Sequence, residues 1–225
     1  MLARGLAFLI LAAISGCAST SMPNIPNEPP IEALQLQGPI SVVLSPLRIK
    51  TSQGTRTFVS SYFSERQPMP GWRAGEEYPA ATQTITDELR DMDFHVYEST
   101  EGLLAPRVRE KLDFLISGTL EPFSLDIHDT YSGNYSEGHY RLTLKFLDMQ
   151  SGEPVWEGES DGYASLGNSP EVRHDLAMGS NIVASLSQNE DRVSRLIIKN
   201  AFRSMMRAHS EKLSQVFTLR AAPQR

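Results

Sequence analysis

Between residues 139 and 164 the side chains alternate. Tyr140, Leu142, Leu144 and Phe146 are apolar, while Arg141, Thr143 and Lys145 between them are polar. A period of two predicts a strand with one buried face. Asp148-Met149-Gln150-Ser151-Gly152-Glu153 has turn chemistry, with Gly152 suited to positive φ. Pro154-Val155-Trp156-Glu157-Gly158-Glu159 returns as the partner strand, extending to Ala164. Residues 139–164 therefore predict a β-hairpin, with Trp156 a candidate for the core.

Other elements follow from the same reading. Ile40-Ser41-Val42-Val43-Leu44 is a β-rich run ended by Pro46. Residues 51–79 hold Gly54, Pro68, Pro70, Gly71, Gly75 and Pro79 and predict mostly loop. Ala81, Ile85, Leu89 and Met92 recur at helical spacing, and Phe94 to Tyr97 is a short strand. Leu104, Val108 and Leu112 predict a second helix. Phe114 to Leu120 is a buried-looking strand that continues loosely to Ile127, followed by a polar, aromatic turn from His128 to Gly138. A final helix is expected from about Asp191 to Phe217, with a stripe through Val193, Ile197, Ala201, Met205, Leu213 and Val216. The order β-α-β-α-β-β-β-α predicts a single α/β (α+β) domain over residues 40–217, with helices packed on a mixed sheet. Residues 218–225 are expected to be a disordered tail.

The N-terminal pattern is different in kind. Met1 to Arg4 carries one positive charge, and Leu6 to Ile14 is almost wholly apolar. That run falls short of the roughly 20 residues needed to span a bilayer as a helix. It has the length of the apolar part of a secretory signal peptide, assigned to residues 1–16. It ends in Ile14-Ser15-Gly16-Cys17, which resembles the bacterial lipobox. The resemblance implies cleavage before Cys17 and acylation of Cys17, the only cysteine in the chain. One acyl chain binds a membrane only marginally, whereas two or three hold it firmly. Ala18 departs from the Asp that retains such lipoproteins at the inner membrane, so the resemblance implies the periplasmic face of the outer membrane. Residues 17–39 include Pro23, Pro26, Pro29, Pro30 and Pro39 and predict a semi-extended linker.

Charge narrows the partners. The chain has 21 Lys and Arg against 27 Asp and Glu, a formal net charge of −6. Nucleic acid is not expected as a partner, because phosphate binding needs a basic surface. With its one cysteine consumed by lipid, the domain has no internal disulfide and must rely on its core.

Asp113-Phe114-Leu115-Ile116-Ser117-Gly118 and the segment from Leu147 to Trp156, taken in this element order, resemble small envelope lipoproteins. These include the YajG-like lipoproteins, the penicillin-binding-protein activator lipoproteins and the nucleotide-binding-like domain of the curli secretion lipoprotein. The resemblance implies an α/β sandwich and an accessory or assembly role.

Several motifs for catalysis are absent from the sequence: it has no P-loop, Rossmann fingerprint or H-E-x-x-H, and Gly158-Glu159-Ser160-Asp161-Gly162, which has the G-x-S-x-G spacing, falls within the predicted return strand and not at a strand-to-helix turn. Asp126, His128 and His139 are the one cluster worth weighing as a metal site, and a polar hairpin end is the simpler reading, so no metal or other cofactor is expected. The adjacent carboxylates Glu76-Glu77 and Glu190-Asp191 suit helix starts, and Asp87-Glu88 suits a solvated helix face. Trp72, Tyr78, Tyr131 and Tyr135 lie on polar or Gly- and Pro-rich segments, where large aromatics favour binding surfaces; these four are the candidate partner-binding residues. Tyr62 and Phe63 are expected to fold back over the core. The expected function is a non-enzymatic accessory or assembly lipoprotein with a protein partner in the envelope. The alternatives are a carrier of lipid or another apolar ligand, and a subunit of an oligomeric export pore.

Overall fold

The computed structural model describes residues 40–51, 53–60, 64–68, 73–98, 110–130, 133–167 and 182–221. Cys17, the linker, Tyr62, Phe63, Trp72, Tyr131, most of the expected second helix and residues 222–225 lie outside these.

The fold is the expected α/β (α+β) class: an eight-stranded mixed sheet with helices packed on it. Its spine is β6 (Phe114–Thr130). Along one edge β6 pairs antiparallel with β7 (Gly133–Asp148), which pairs with β8 (Pro154–Gly167). Along its other edge three strands follow one another, all parallel to it: β1 (Ser41–Leu44), β2 (Arg48–Ile49) and β3 (Thr55–Ser60). β5 (His95–Glu98) flanks β1 in parallel, and β4 (Ser64–Pro68) flanks β3 antiparallel.

The sheet therefore enters the region 51–79 that sequence marked as loop. β3 and β4 are polar strands, TRTFVS and SERQP, without the apolar alternation that signals burial. Pro68 ends β4, the last strand on its side of the described sheet, the kind of position at which strands tolerate Pro. The turn expected from His128 to Gly138 is likewise mostly strand, since pairing continues to Thr130↔Gly133.

Burial alternates as the period of two requires. Phe114, Ile116 and Leu120 point to the core on β6, but beyond Pro122 the core residues are Leu125 and Ile127. The parity changes because a bulge between Pro122 and Ser124 inserts one residue, Phe123. The predicted hairpin turn forms as read. Asp148 Oδ1 accepts the Gln150 and Ser151 N–H groups at 2.7 and 2.9 Å, and Gly152 has φ 75.

Helix α1 (Pro79–Asp91) starts with Pro at N1, where no N–H is needed. It ends where Asp93 takes a left-handed φ of 65 and its N–H reaches Arg90 O. The single expected C-terminal helix is two: α2 (Ile182–Ala208), starting about two turns earlier than expected, and α3 (Ser210–Ala221). The helix thus runs past Phe217, into the stretch expected to be a tail. Ile85 and Leu89 of α1, Val193, Ile197 and Phe202 of α2, and Leu213 and Phe217 of α3 share one core with the inward residues of the sheet. Trp156 joins it at 2% exposure, edge-on to Phe146 at 5.1 Å and to His209 at 5.5 Å.

Candidate interaction face

The long meander β6-β7-β8 has two faces, and the described helices occupy one. On the other, one aromatic side chain from each strand lines up across the sheet. Phe123 of β6 lies 4.6 Å from the His139 ring of β7, and His139 stacks on Tyr163 of β8 at 4.1 Å and 14°. Tyr163 is 48% exposed, the single large hydrophobic residue so open among the described residues. Sequence reasoning missed this ladder. The bulge that puts Phe123 on the face opposite to Leu125 and Ile127 is not legible in the sequence, and His139 and Tyr163 carry no motif.

Charge frames the ladder. Arg141 sits 5.2 Å from the Phe123 ring centroid, a cation–π contact. It donates to Asp161 from Nε at 2.8 Å and from a terminal nitrogen at 3.3 Å. That hydrogen-bonded pairing holds the Asp161 carboxyl below its ordinary range. His139 Nε2 lies 3.4 Å from Asp161 Oδ1, close enough to add to the field and too poorly aligned for a full hydrogen bond. Lys145 pairs with Glu157 at 2.9 Å on the same face.

Towards the hairpin tip the face continues. His128 stacks on Tyr135 at 4.0 Å and 12°. Asp126 stands opposite Glu137 across the strands. Burial first, then the Asp126 charge, raises the Glu137 carboxyl above its ordinary value. Burial lowers His128, and Asp126 opposes that shift; burial also raises Tyr135. Tyr135 thus belongs to this face, though on a strand and half-buried rather than in a loop. Among the described residues no group of three His, Cys, Asp or Glu converges on a point that could hold a metal ion.

Tyr78 has a different place from the surface loop expected for it. It precedes α1, packs against the core, and its hydroxyl hydrogen-bonds Ser194 of α2. Burial above all pushes its hydroxyl up to about 12. Ser194 also meets the Tyr140 hydroxyl at 2.7 Å, so two tyrosines and a serine form a buried knot between sheet and helices. The carboxylate pairs are corrected too. Glu88 is 4% exposed and clasped by Lys199 at 2.7 Å and Arg203 at 2.6 Å, tying α1 to α2. Glu190 lies inside α2, not at its start, and receives Arg56 of β3 at 3.0 Å.

No protein-family model matches the chain, and no curated protein is similar to it in sequence. Among solved structures it is similar to a neuraminyllactose-binding hemagglutinin homolog from Helicobacter pylori, with 8% identity, 85% of this chain and 95% of that chain covered, and a TM-score of 0.42. A Xanthomonas campestris protein of the DUF330 family is 11% identical over 83% of this chain and 92% of that one, with a TM-score of 0.40. Lipoprotein GNA1162 from Neisseria meningitidis is 11% identical over 67% and 99%, with a TM-score of 0.27. Bacterial lipoproteins thus stand among the similar structures. These values single out none of the families that the hairpin segment resembles.

Proposed function

We propose that this chain is a lipid-anchored accessory or assembly protein of the bacterial envelope, not an enzyme. Cys17 holds it to the periplasmic face of the outer membrane, and the outer face of β6-β7-β8 docks a protein component of the envelope. The observation that supports the docking half is the Phe123-His139-Tyr163 ladder, with Tyr163 open to solvent. Exposed aromatics that none of the described helices covers gain more from an interface than from folding. The surrounding charge is mainly acidic: Glu121, Asp126, Glu137, Glu157, Glu159 and Asp161 against Arg141, Lys145 and Lys50, which pairs with Glu121. The partner surface it fits has an apolar centre and a basic rim.

The same charges weigh against the export-pore alternative. A strand facing hydrocarbon cannot carry Asp126, Glu137, Arg141 and Lys145 outward without a large cost, and the opposite face is filled by α2.

Two experiments test the two halves. Cys17→Ser should abolish palmitate labelling and release the protein from membranes, and Ala18→Asp should move it to the inner-membrane fraction. Labelling of Cys17→Ser equal to wild type would sink the anchor. For docking, a photo-crosslinker placed beside the ladder should capture a discrete envelope protein in cells. Phe123→Ala with Tyr163→Ala should abolish that capture while leaving membrane attachment intact; unchanged capture would remove the ladder from the interface.

A further inference from the structure

β4 and β5 are outer strands of five and four residues, whereas β8 is an outer strand of 14. Among the described residues β8 pairs with β7 alone, so its second row of backbone N–H and C=O groups has no strand beside it. Asn200 of α2 donates to the Tyr163 carbonyl at 2.7 Å, so the open stretch is the one before Tyr163. A long bare edge is a template for another chain. An extended segment added to such an edge gains a ladder of main-chain hydrogen bonds, and its alternate side chains set the specificity.

The outer-face side chains set the chemistry of that segment, because successive cross-strand rows all end at β8. Lys50 pairs with Glu121 at 3.2 Å, Glu121 faces Arg141, and Arg141 holds Asp161 at 2.8 Å. Charge thus alternates across the sheet and stops on an acid. The next row ends in Thr143 and Glu159, 3.4 Å apart, and the one after it in Lys145 and Glu157 at 2.9 Å. Asp161, Glu159 and Glu157 keep 38%, 51% and 56% of their side chains exposed, so each can meet a second cation. The aromatic row has the same form: Phe123, His139 and Tyr163 bring rings up to the edge, where Tyr163 is still open. A second copy of β8 is the wrong occupant. Paired antiparallel with itself, it would set carboxylates against carboxylates, and like charges placed opposite destabilise a sheet. A strand with Lys or Arg at every second position continues all three charged rows, and an aromatic residue at its end continues the ladder.

We propose that the protein partner of the docking face joins the sheet at β8 as an added strand, an extended segment with basic residues at alternate positions facing Glu157, Glu159 and Asp161 and an aromatic residue against Tyr163. The inference rests on the docking reading above and adds the partner's chemistry and its mode of attachment. The added strand runs antiparallel to β8, continuing the β6-β7-β8 meander in the more stable kind of pairing. The probe is the fluorescein-labelled peptide Trp-Thr-Lys-Thr-Lys-Thr-Lys, titrated with the full chain in detergent and followed by anisotropy. It should bind, and the same peptide with Glu for every Lys should not. Glu157→Lys with Glu159→Lys should weaken the Lys peptide about tenfold, the scale of two reversed cross-strand pairs, and should bind the Glu peptide instead. That exchange of partners also shows that the variant is folded. Methylating the peptide's backbone nitrogens at alternate residues should abolish binding in one phase and spare it in the other, since only one phase faces β8. No binding of the Lys peptide, equal binding of both peptides, or indifference to methylation in both phases would overturn the added strand. In cells, Glu157→Lys with Glu159→Lys should lose the crosslinked partner. Capture lost in Phe123→Ala with Tyr163→Ala but kept in the charge-reversed variant would leave the docking face standing and remove the β8 edge from it.

Discussion

The two faces of β6, β7 and β8 are made from the same strands, one residue out of phase. The inner face carries Phe114, Ile116, Leu120, Tyr140, Leu142, Leu144, Phe146 and Trp156, all buried. The outer face carries Phe123, His139, Arg141, Lys145, Glu157, Asp161 and Tyr163, which are half-buried or exposed. Packing fixes the first set, since every inner side chain meets a helix or another strand. It does not fix the second. An inner aromatic contributes by burying area, whereas an outer one is half wet and leaves most of its possible gain unused. The difference separates residues kept for folding from residues available for binding, and it yields variants that should behave in opposite ways.

The largest effect is expected at Trp156. Its ring is nearly fully buried between Phe146 and His209. Trp156→Ala should cost about 3–5 kcal/mol, the usual range for large aromatic truncations, out of a total of about 5–15. Chemical denaturation of the full chain in detergent checks this, and a midpoint near wild type would show that the inner face does not depend on this residue. A somewhat smaller loss is expected at Gly162. A Cβ there would come within 2.2 Å of Ile197 O and 2.8 Å of Ala201 Cβ, because α2 lies directly on β8 at this point. Backbone cannot yield as a flexible side chain can, so Gly162→Ala should cost about 1–3 kcal/mol. An unchanged melting temperature would mean that α2 rides higher on the sheet.

What sequence could reveal follows the same division. The hairpin, its Asp148–Gly152 turn, β1, α1 and the stripe of α2 were legible, because burial imposes a period of two or 3.6 on side-chain type. β3 and β4 were not, because neither TRTFVS nor SERQP shows such a period; their place comes from backbone pairing with β6. Glu88 read as solvated for a related reason. Its two cations lie 111 and 115 residues away on α2, at Lys199 and Arg203, and only folding brings them together. The ladder was hidden by the bulge at Phe123. Aromatic residues on turns were an imperfect guide: Tyr135 does lie on the outer face, while Tyr78 is drawn into the core by Ser194.

At Tyr163 the expectation reverses. Tyr163→Ala removes a ring that is half in water, so its stability cost should stay near the few tenths of a kcal/mol usual for open surface sites, up to about 1 because the stack on His139 is lost. Capture of the partner, by contrast, should fall by the equivalent of about 2 kcal/mol if the ladder is its anchor. A variant that unfolds as Trp156→Ala does would place Tyr163 with the folding residues and erase the contrast between the faces.

The smallest effect is electrostatic and concerns two carboxyls of the outer face that shift in opposite directions. Glu137 has its carboxyl raised, by burial and then by Asp126, so in the folded chain its charged form is disfavoured. As pH falls from neutral through that raised value towards the ordinary 4.5, protonation of Glu137 should add stability. Asp161 has its carboxyl lowered, first by the hydrogen bonds from Arg141, so its charged form is favoured in the folded chain. Its contribution is present above the ordinary 3.8 and is lost as pH falls further, through the lowered folded value. Both groups are substantially solvated, so each change should remain under about 1 kcal/mol. Melting curves between pH 7 and pH 2 can separate them. Glu137→Gln should melt above wild type at neutral pH, with the gap closing as pH falls towards 4.5. Asp161→Asn should melt below wild type at neutral pH, with the gap closing only below 3.8. Gaps that stay constant across both windows would show that neither carboxyl feels its neighbours on this face, and that the Arg141–Asp161 contact is a surface pair with no hold on the strands beneath it.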